Sequence, residues 1–223
     1  GGYEHFMLKE ICEQPDALRN RLSGRIRDGK LHLSVQVGDP QRIVLIACGT
    51  SWHSALIGKH LIERLCKIPC EVDYASEFRY RDPIIRSDDL VIAISQSGET
   101  ADTLEALRIA KDRGARTLGI VNVVGSTIAR EVDSGVYLHA GPEIGVASTK
   151  AFTSQVLALS LLALYIKQEL TGKLEKRFLD DIFTLPDVLE HVLELSADLA
   201  RLADRFLDTE NFLYLGRGYN FPV

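Results

Sequence analysis

The sequence has little of what would announce a metal centre, a disulfide framework or a membrane segment. Four cysteines (Cys12, Cys48, Cys66 and Cys70) are scattered through 223 residues, with no C-x-x-C pair and no histidine spacing that would complete a zinc site. They read as free thiols in a reducing cytosol, and a chain of this length builds a core without covalent staples. The apolar run at residues 155–166 is too short to span a bilayer and suits a buried helix, and no signal peptide is read at the start. Basic residues are not in excess: 26 Lys and Arg against 31 Asp and Glu leave a formal charge of −5. That balance gives no electrostatic reason to expect a nucleic-acid partner. Disorder is equally disfavoured by 46% hydrophobic and 26% charged residues. No motif calls for a metal or an organic cofactor, and the expected location is the cytoplasm.

What is present is a β–α rhythm. Residues 3–22 carry helical periodicity, with Phe6, Met7, Ile11 and Leu18 as candidate core contacts. Pro15 should split this stretch, because it lacks an N–H and disfavours helical geometry in the residue before it. Asp28-Gly29 and Gly38-Asp39-Pro40 signal loops. Apolar strands are then expected at 42–47, 71–74, 90–94, 117–121 and 135–138. Helices follow the first strand, through about residue 65, and the third, over 100–113 with Gly114 as its C-cap; a short one falls near 126–130. Two long helices, about 148–169 and 174–207, complete the unit. Strands that are continuously apolar and alternate with helices predict a parallel sheet covered on both faces, an α-β-α sandwich of three layers around five strands. Ligands of such sheets bind beyond the carboxyl ends of strands at the switch point, which selects the loops after strands one and three. Both termini read as cut. Gly1-Gly2 looks like a linker, and Asn211-Phe-Leu-Tyr-Leu-Gly216 like a fresh strand opening a further domain.

The loop after the third strand carries the most information. The apolar run ends abruptly in Ser95, Gln96, Ser97, Gly98, Glu99 and Thr100. Gly98 allows the backbone to turn closely around a ligand, and the helix starting near Thr100 presents unpaired N–H groups and partial positive charge. Ser95, Ser97 and Thr100 add hydroxyl donors. Hydrogen bonds to a charged group contribute roughly 1.5–3 kcal/mol each, so several hold a phosphate without a cationic side chain. The loop lacks the lysine of an NTP-binding loop and suits a phosphate ester instead. The competing reading is a helix cap built from Ser97 or Gln96 with Glu99, but one cap does not need so many polar groups at one strand end. A phosphorylated small molecule is the expected ligand.

Cys48-Gly49-Thr50-Ser51 offers the same chemistry after the first strand, with a simple cap by Thr50 or Ser51 as its alternative. Cys48 as a nucleophile has no assignable base. A third cluster, Glu143-Ile-Gly-Val-Ala-Ser-Thr-Lys150, opens a long helix; Gly145 and Ala147 allow close approach and Ser148 is a cap or a ligand donor. Lys150 as a Schiff-base amine would need a lowered pKa, and it reads rather as ion-paired or phosphate-facing. His53 and His60 lie seven apart, too far for a metal pair, and read as packing or surface residues. Glu77, Arg79 and Arg81 beside Phe78 and Tyr80 form either a subunit contact or a solvated cluster. Gly216-Arg217-Gly218 hints at a dinucleotide fingerprint but lacks the third glycine. No residue is assigned a catalytic role.

These segments together resemble the sugar isomerase (SIS) domain family, and within it the isomerase halves of the glutamine–fructose-6-phosphate aminotransferases. The resemblance rests on Cys48-Gly-Thr-Ser51, Ala75-Ser-Glu-Phe-Arg-Tyr80, Ser95-Gln-Ser-Gly-Glu-Thr-Ala-Asp-Thr103 and Glu143-Ile-Gly-Val-Ala-Ser-Thr-Lys-Ala-Phe152. The opening His5-Phe-Met-Leu-Lys-Glu-Ile-Cys-Glu-Gln-Pro15 extends it over nearly the whole chain. It implies a flavodoxin-like fold, with residues 1–40 as a helical lead-in from a glutaminase domain, 41–208 as the first SIS domain and 209–223 as the start of a second. It implies an enzyme that makes glucosamine 6-phosphate and glutamate from fructose 6-phosphate and glutamine, as a homodimer. Thr50, Ser51, Ser95, Gln96, Ser97 and Thr100 would then meet the sugar phosphate, with Val146 and Ser148 nearer the sugar. By the same resemblance the ring-opening and isomerising lysine, glutamate and histidine belong to segments outside these residues. Two alternatives stay open: the sugar-phosphate-sensing domain of a regulator, and a stand-alone phosphosugar isomerase.

Overall fold

The computed structural model describes residues 2–223; Gly1, read above as part of a linker, lies outside them. Two short helices open the chain, α1 (Phe6–Cys12) and α2 (Gln14–Leu22), broken at Glu13 with Pro15 in the first turn of α2. A two-residue hairpin follows, β1 (Ile26–Arg27) against β2 (Lys30–Leu31). Its turn residues Asp28 and Gly29 both have positive φ, 51° and 71°, as a tight turn matched to strand twist requires. The doubly wound unit is β3 (Arg42–Ala47), α3 (Thr50–Cys66), β4 (Cys70–Tyr74), α4 (Ala75–Tyr80), β5 (Asp89–Ser95), α5 (Ala101–Asp112), β6 (Arg116–Val121), α6 (Thr127–Glu131), β7 (Ser134–Tyr137) and α7 (Lys150–Thr171). Beyond it lie α8 (Lys176–Phe183), α9 (Leu185–Glu194) and α10 (Ser196–Ala203).

The five long strands pair in the order β4-β3-β5-β6-β7, every pair parallel. The expected sandwich and all five expected strands are therefore present. Alternation along each strand sorts the core into two halves. Ile43, Leu45, Leu90, Ile92, Ile94, Leu118 and Ile120 face α3 and α7, together with Leu18 and Leu22 of α2. Val44, Ile46, Val91, Ala93 and Val121 face Ala75 and Phe78 of α4, Ala106, Leu107 and Ala110 of α5, and Ile128 of α6. Each fully buried Ile or Leu contributes roughly 1.5–3 kcal/mol relative to exposure, so the central strands β3 and β5 anchor the unit. At the amino end of these strands Arg42 grips buried Asp89 through two bonds, Nε to Oδ1 at 3.1 Å and an NH2 to Oδ2 at 2.6 Å. Gln168 of α7 imitates a strand, accepting from Leu31 N and donating to Leu31 O, both at 2.9 Å. That pair fastens the hairpin to the sandwich.

Three expectations fail. The helix expected over 174–207 is three helices: Pro186 cannot donate to the helical ladder and opens α9 afresh, and a second break falls at Leu195. Residues 211–216 form no strand, since no neighbouring strand pairs with them, and Phe212 to Leu215 stand exposed. Of the four expected core contacts in the opening helices, Leu18 is buried, Ile11 is half-buried, and Phe6 and Met7 face solvent.

Candidate functional site

The strand order reverses between β3 and β5, which run side by side with Ala47 opposite Ile94. The two loops singled out from sequence thus leave the sheet next to each other. After Ala47 the chain turns at Gly49, with φ 57° and ψ −136°, a backbone that a side chain resists. Gly49 is the N-cap of α3 and supplies no side-chain cap, so the first turn of that helix presents its N–H groups at the sheet's carboxyl edge. Thr50 is exposed there. Ser51 turns inward, its Oγ accepting from Gln155 Nε2 of α7 at 2.9 Å. Buried Ser54 completes the link, its single hydroxyl proton shared between Ser51 O at 2.7 Å and Gln155 Oε1 at 2.9 Å. Gln155 had no distinguishing mark in the sequence beyond being a polar residue within an apolar run.

After β5, buried Ser95 organises the loop from inside. Its Oγ accepts Gly98 N at 3.0 Å and shares a hydrogen bond with Thr100 Oγ1 at 3.0 Å. Ser97 Oγ accepts Glu99 N at 3.1 Å, which leaves the Ser97 hydroxyl proton free to donate elsewhere. Gly98 has φ 68°, and its carbonyl accepts Ile128 N of α6 at 3.0 Å. The capping alternative for this loop does not survive. The N-cap of α5 is Thr100, whose side chain makes no capping bond, and Glu99 reaches away to accept Thr127 N of α6 at 2.8 Å.

Asn122 joins this loop to the next. Its N–H donates to Gln96 O at 3.1 Å, its Nδ2 donates to Gly141 O at 2.7 Å, and its Oδ1 accepts Ala140 N at 2.9 Å. A cleft of about 540 Å³ opens here, lined by Gln96, Asn122, Val123, His139, Gly141, Pro142 and Glu143. Burial, then the charges of Arg21 and Arg25, holds the His139 imidazole below its ordinary pKa. Glu143 closes the far side and caps α7: its Oε1 accepts Thr149 N at 2.9 Å and Ala151 N at 3.1 Å, while Oε2 accepts Ser148 Oγ at 3.0 Å. Ser148 is thus engaged by Glu143, and Val146 stands fully exposed at the tip of the segment. Lys150 is buried and ion-paired, its Nζ 2.6 Å from Glu13 Oε2, and that pairing holds the Glu13 carboxyl below the usual range.

The remaining candidates sit elsewhere. Cys48 receives a weak contact from Thr103 Oγ1 at 3.9 Å, His53 meets Pro222 O at 2.8 Å, and the His60 ring packs edge-on against Tyr219. Arg79 pairs with Asp102 at 2.7 Å and lies over the exposed Tyr80 ring, while Arg81 pairs with Asp73. Gly216 to Gly218 follow no strand, which removes the structural context a dinucleotide fingerprint needs. No group of three or more metal-ligating side chains occurs among the described residues, nor any helix long and apolar enough to cross a membrane.

A five-stranded parallel sheet of this order, with hydroxyl-bearing loops at its switch point, defines a class. The family profile described as "SIS domain" matches residues 38–165, and the chain belongs to that family. The particular relatives carry one name. The chain is 54% identical over 233 aligned positions to glutamine–fructose-6-phosphate aminotransferase [isomerizing] of Chlorobaculum tepidum. It is 51% identical over 234 positions to the enzyme of that name from Bacteroides thetaiotaomicron. In both cases all of this chain aligns, and it spans 38% of the relative's length. Among solved structures, the C-terminal domain of glucosamine-fructose-6-phosphate aminotransferase from Francisella tularensis matches with a TM-score of 0.90 at 38% identity, over 99% of this chain and 64% of that one. Glucosamine-6-phosphate deaminase from Thermotoga maritima matches with a TM-score of 0.64 at 25% identity, over 82% and 54%.

Proposed function

We propose that this chain is the first SIS domain of a glutamine–fructose-6-phosphate aminotransferase and holds the phosphate of fructose 6-phosphate or glucosamine 6-phosphate. On this reading residues 41–208 form the SIS unit, 1–40 lead in from a glutaminase domain, 209–223 lead toward a second SIS domain, and the enzyme works as a homodimer. The observation that carries it is the juxtaposition of two uncapped helix starts, α3 and α5, with the hydroxyls of Thr50, Ser95, Ser97 and Thr100 at the switch point. In the Ser95–Thr100 pair one hydroxyl donates to the other, so one proton is left for a ligand; Ser97 and Thr50 add one each, and Gln96 adds its amide. No lysine or arginine stands in either loop, so helix N–H groups and neutral donors together supply the affinity. Ser51, already accepting from Gln155, keeps its own proton for the same anion. The sugar end then lies toward Val146 and Ser148. The chain binds and orients; the residues for ring opening and isomerisation belong to other segments of the enzyme.

The test is titration of the 223-residue chain with glucosamine 6-phosphate, fructose 6-phosphate and inorganic phosphate, followed by amide resonances of residues 95–101. Ser97→Ala is expected to weaken binding roughly ten- to a hundredfold, the loss of one charge-assisted bond. Silence of these resonances at millimolar concentrations of all three ligands, or an unchanged affinity in the variant, would overturn the assignment.

A further inference from the structure

The segment between β7 and α7 carries the residues placed nearest the sugar, yet it belongs to no ladder. It is held from outside by the opening helices. Glu10 of α1 is 2% exposed, and its carboxylate accepts three bonds from that segment: Ile144 N to Oε1 at 2.6 Å, and Gly145 N to Oε1 at 3.2 Å and to Oε2 at 3.1 Å. No cation is paired with it among the described residues. Gly145 is required for the approach, because a Cβ there would stand 2.6 Å from Glu10 Oε2 and 3.6 Å from Met7 Cβ. One turn further along the lead-in, Glu13 holds Lys150 at 2.6 Å, at the first residue of α7. Val146 and Ala147, between these two fastenings, are exposed and free to meet a ligand.

We propose that Glu10 is a positioning residue for the sugar-facing segment 143–148, so that the opening helix tunes affinity for the sugar part of the ligand and leaves the phosphate grip alone. The physical basis is population. Two backbone N–H groups fix the segment in one arrangement, and an apparent affinity falls in proportion to the fraction of molecules holding the binding-competent arrangement. The phosphate loop has its own internal bonds, in which Ser95 Oγ accepts Gly98 N–H and shares a hydrogen bond with Thr100 Oγ1, and these bonds involve no residue of α1. Loss of Glu10 therefore loosens one end of the ligand site only. This inference rests on the sugar-phosphate reading above.

The experiment compares dissociation constants for fructose 6-phosphate and for inorganic phosphate in the wild-type chain, in Glu10→Gln and in Gly145→Ala. Glutamine keeps the shape but turns one acceptor into a donor facing an N–H group. Gly145→Ala displaces the same carboxylate from the other side, so a folding failure of one variant leaves the other to decide. Both are expected to weaken fructose 6-phosphate by roughly tenfold, as the competent fraction falls to about a tenth, with inorganic phosphate unchanged within about twofold. Faster exchange of the Ile144 and Gly145 amides, with residues 95–100 unaffected, accompanies this in Glu10→Gln. Equal loss for both ligands would reveal a general structural role and overturn the proposal, as would no loss for either. A wild-type chain that binds neither ligand would overturn the sugar-phosphate reading itself, and the proposal with it.

Discussion

Alanine at Gly98 tests how the loop after β5 is built, because two separable penalties meet at one atom. The backbone sits at φ 68°, where an L-residue costs about 1–2 kcal/mol relative to glycine. The added Cβ would also overlap Ser126 Oγ and stand 2.5 Å from Ser126 Cβ. Ser126 is buried at the start of α6, so it cannot swing into solvent, and forcing an extra carbon into such a site costs about 1–3 kcal/mol. Together these predict a loss of about 3 kcal/mol in Gly98→Ala, read from urea unfolding followed by the single tryptophan, Trp52, with an unchanged denaturant slope. The cycle with Ser126 separates the two parts. In a Ser126→Gly background the overlap is gone and Gly98→Ala should cost only the backbone share, about 1–2 kcal/mol, a coupling of roughly 2 kcal/mol between the sites. Ser126→Ala keeps the Cβ and should rescue less than glycine does. An equal cost of Gly98→Ala in the wild-type and Ser126→Gly backgrounds would refute the steric half of the reasoning. A cost below about 0.5 kcal/mol in the wild type would refute both halves.

Two further predictions concern charge. Arg21 is fully buried, its guanidinium nitrogens have no partner among the described residues, and burial followed by the charge of Arg25 lowers its pKa to about 9. A base held below its unfolded value opposes folding fully beneath pH 9 and progressively less as pH rises toward the ordinary guanidinium range, so Arg21→Met should raise stability at pH 7 by about 2 kcal/mol. A lowered urea midpoint in that variant would contradict this. Glu13 is depressed by Lys150 first, so the pair's contribution is present above the ordinary carboxyl value of 4.5 and is lost as pH falls through the lower folded value. Glu13→Gln should cost about 1–2 kcal/mol at pH 7, discounted because Glu13 is partly exposed, and the difference from wild type should shrink below about pH 4.5. A gap that stays constant down to pH 3 would remove the ion pair as its cause.

The core strands were legible because they are buried on both faces, which turns each of them into a short uninterrupted apolar run. The rule that ligands bind at the switch point selected the hydroxyl-rich loops after the first and third of these strands, and the strand order of the folded sheet puts both at its reversal. Where reading failed, the information was not local. The periodicity of 174–207 continues across Pro186, where the missing N–H divides it, and across Leu195, where a second break falls. Leu213 and Tyr214 have strand-like composition but no neighbouring edge to pair with. Phe6 and Met7 sit on a helix whose buried position is held by a carboxylate, Glu10, which periodicity marks as polar and therefore external. Lys150 was legible as an ion-paired residue, but its partner lies 137 positions away. Gln155 likewise reaches the Ser51 side chain 104 positions away, while Asn122 bonds the Gly141 carbonyl and Glu143 the Thr149 N–H, contacts that no spacing in the sequence announces.

The Glu143 cap on α7 has a consequence for ligand orientation. Among the helices that begin at the carboxyl edge of the sheet, the starts of α3, α5 and α7 border the candidate site, and they would attract a negative group equally if they were alike. Two are open; the third is already plugged by a carboxylate from the chain itself. An anion approaching that third start meets repulsion where the other two offer attraction. The rim is therefore polarised like a keyed socket: a molecule charged at one end and neutral at the other fits one way round, before any contact with its hydroxyls is made.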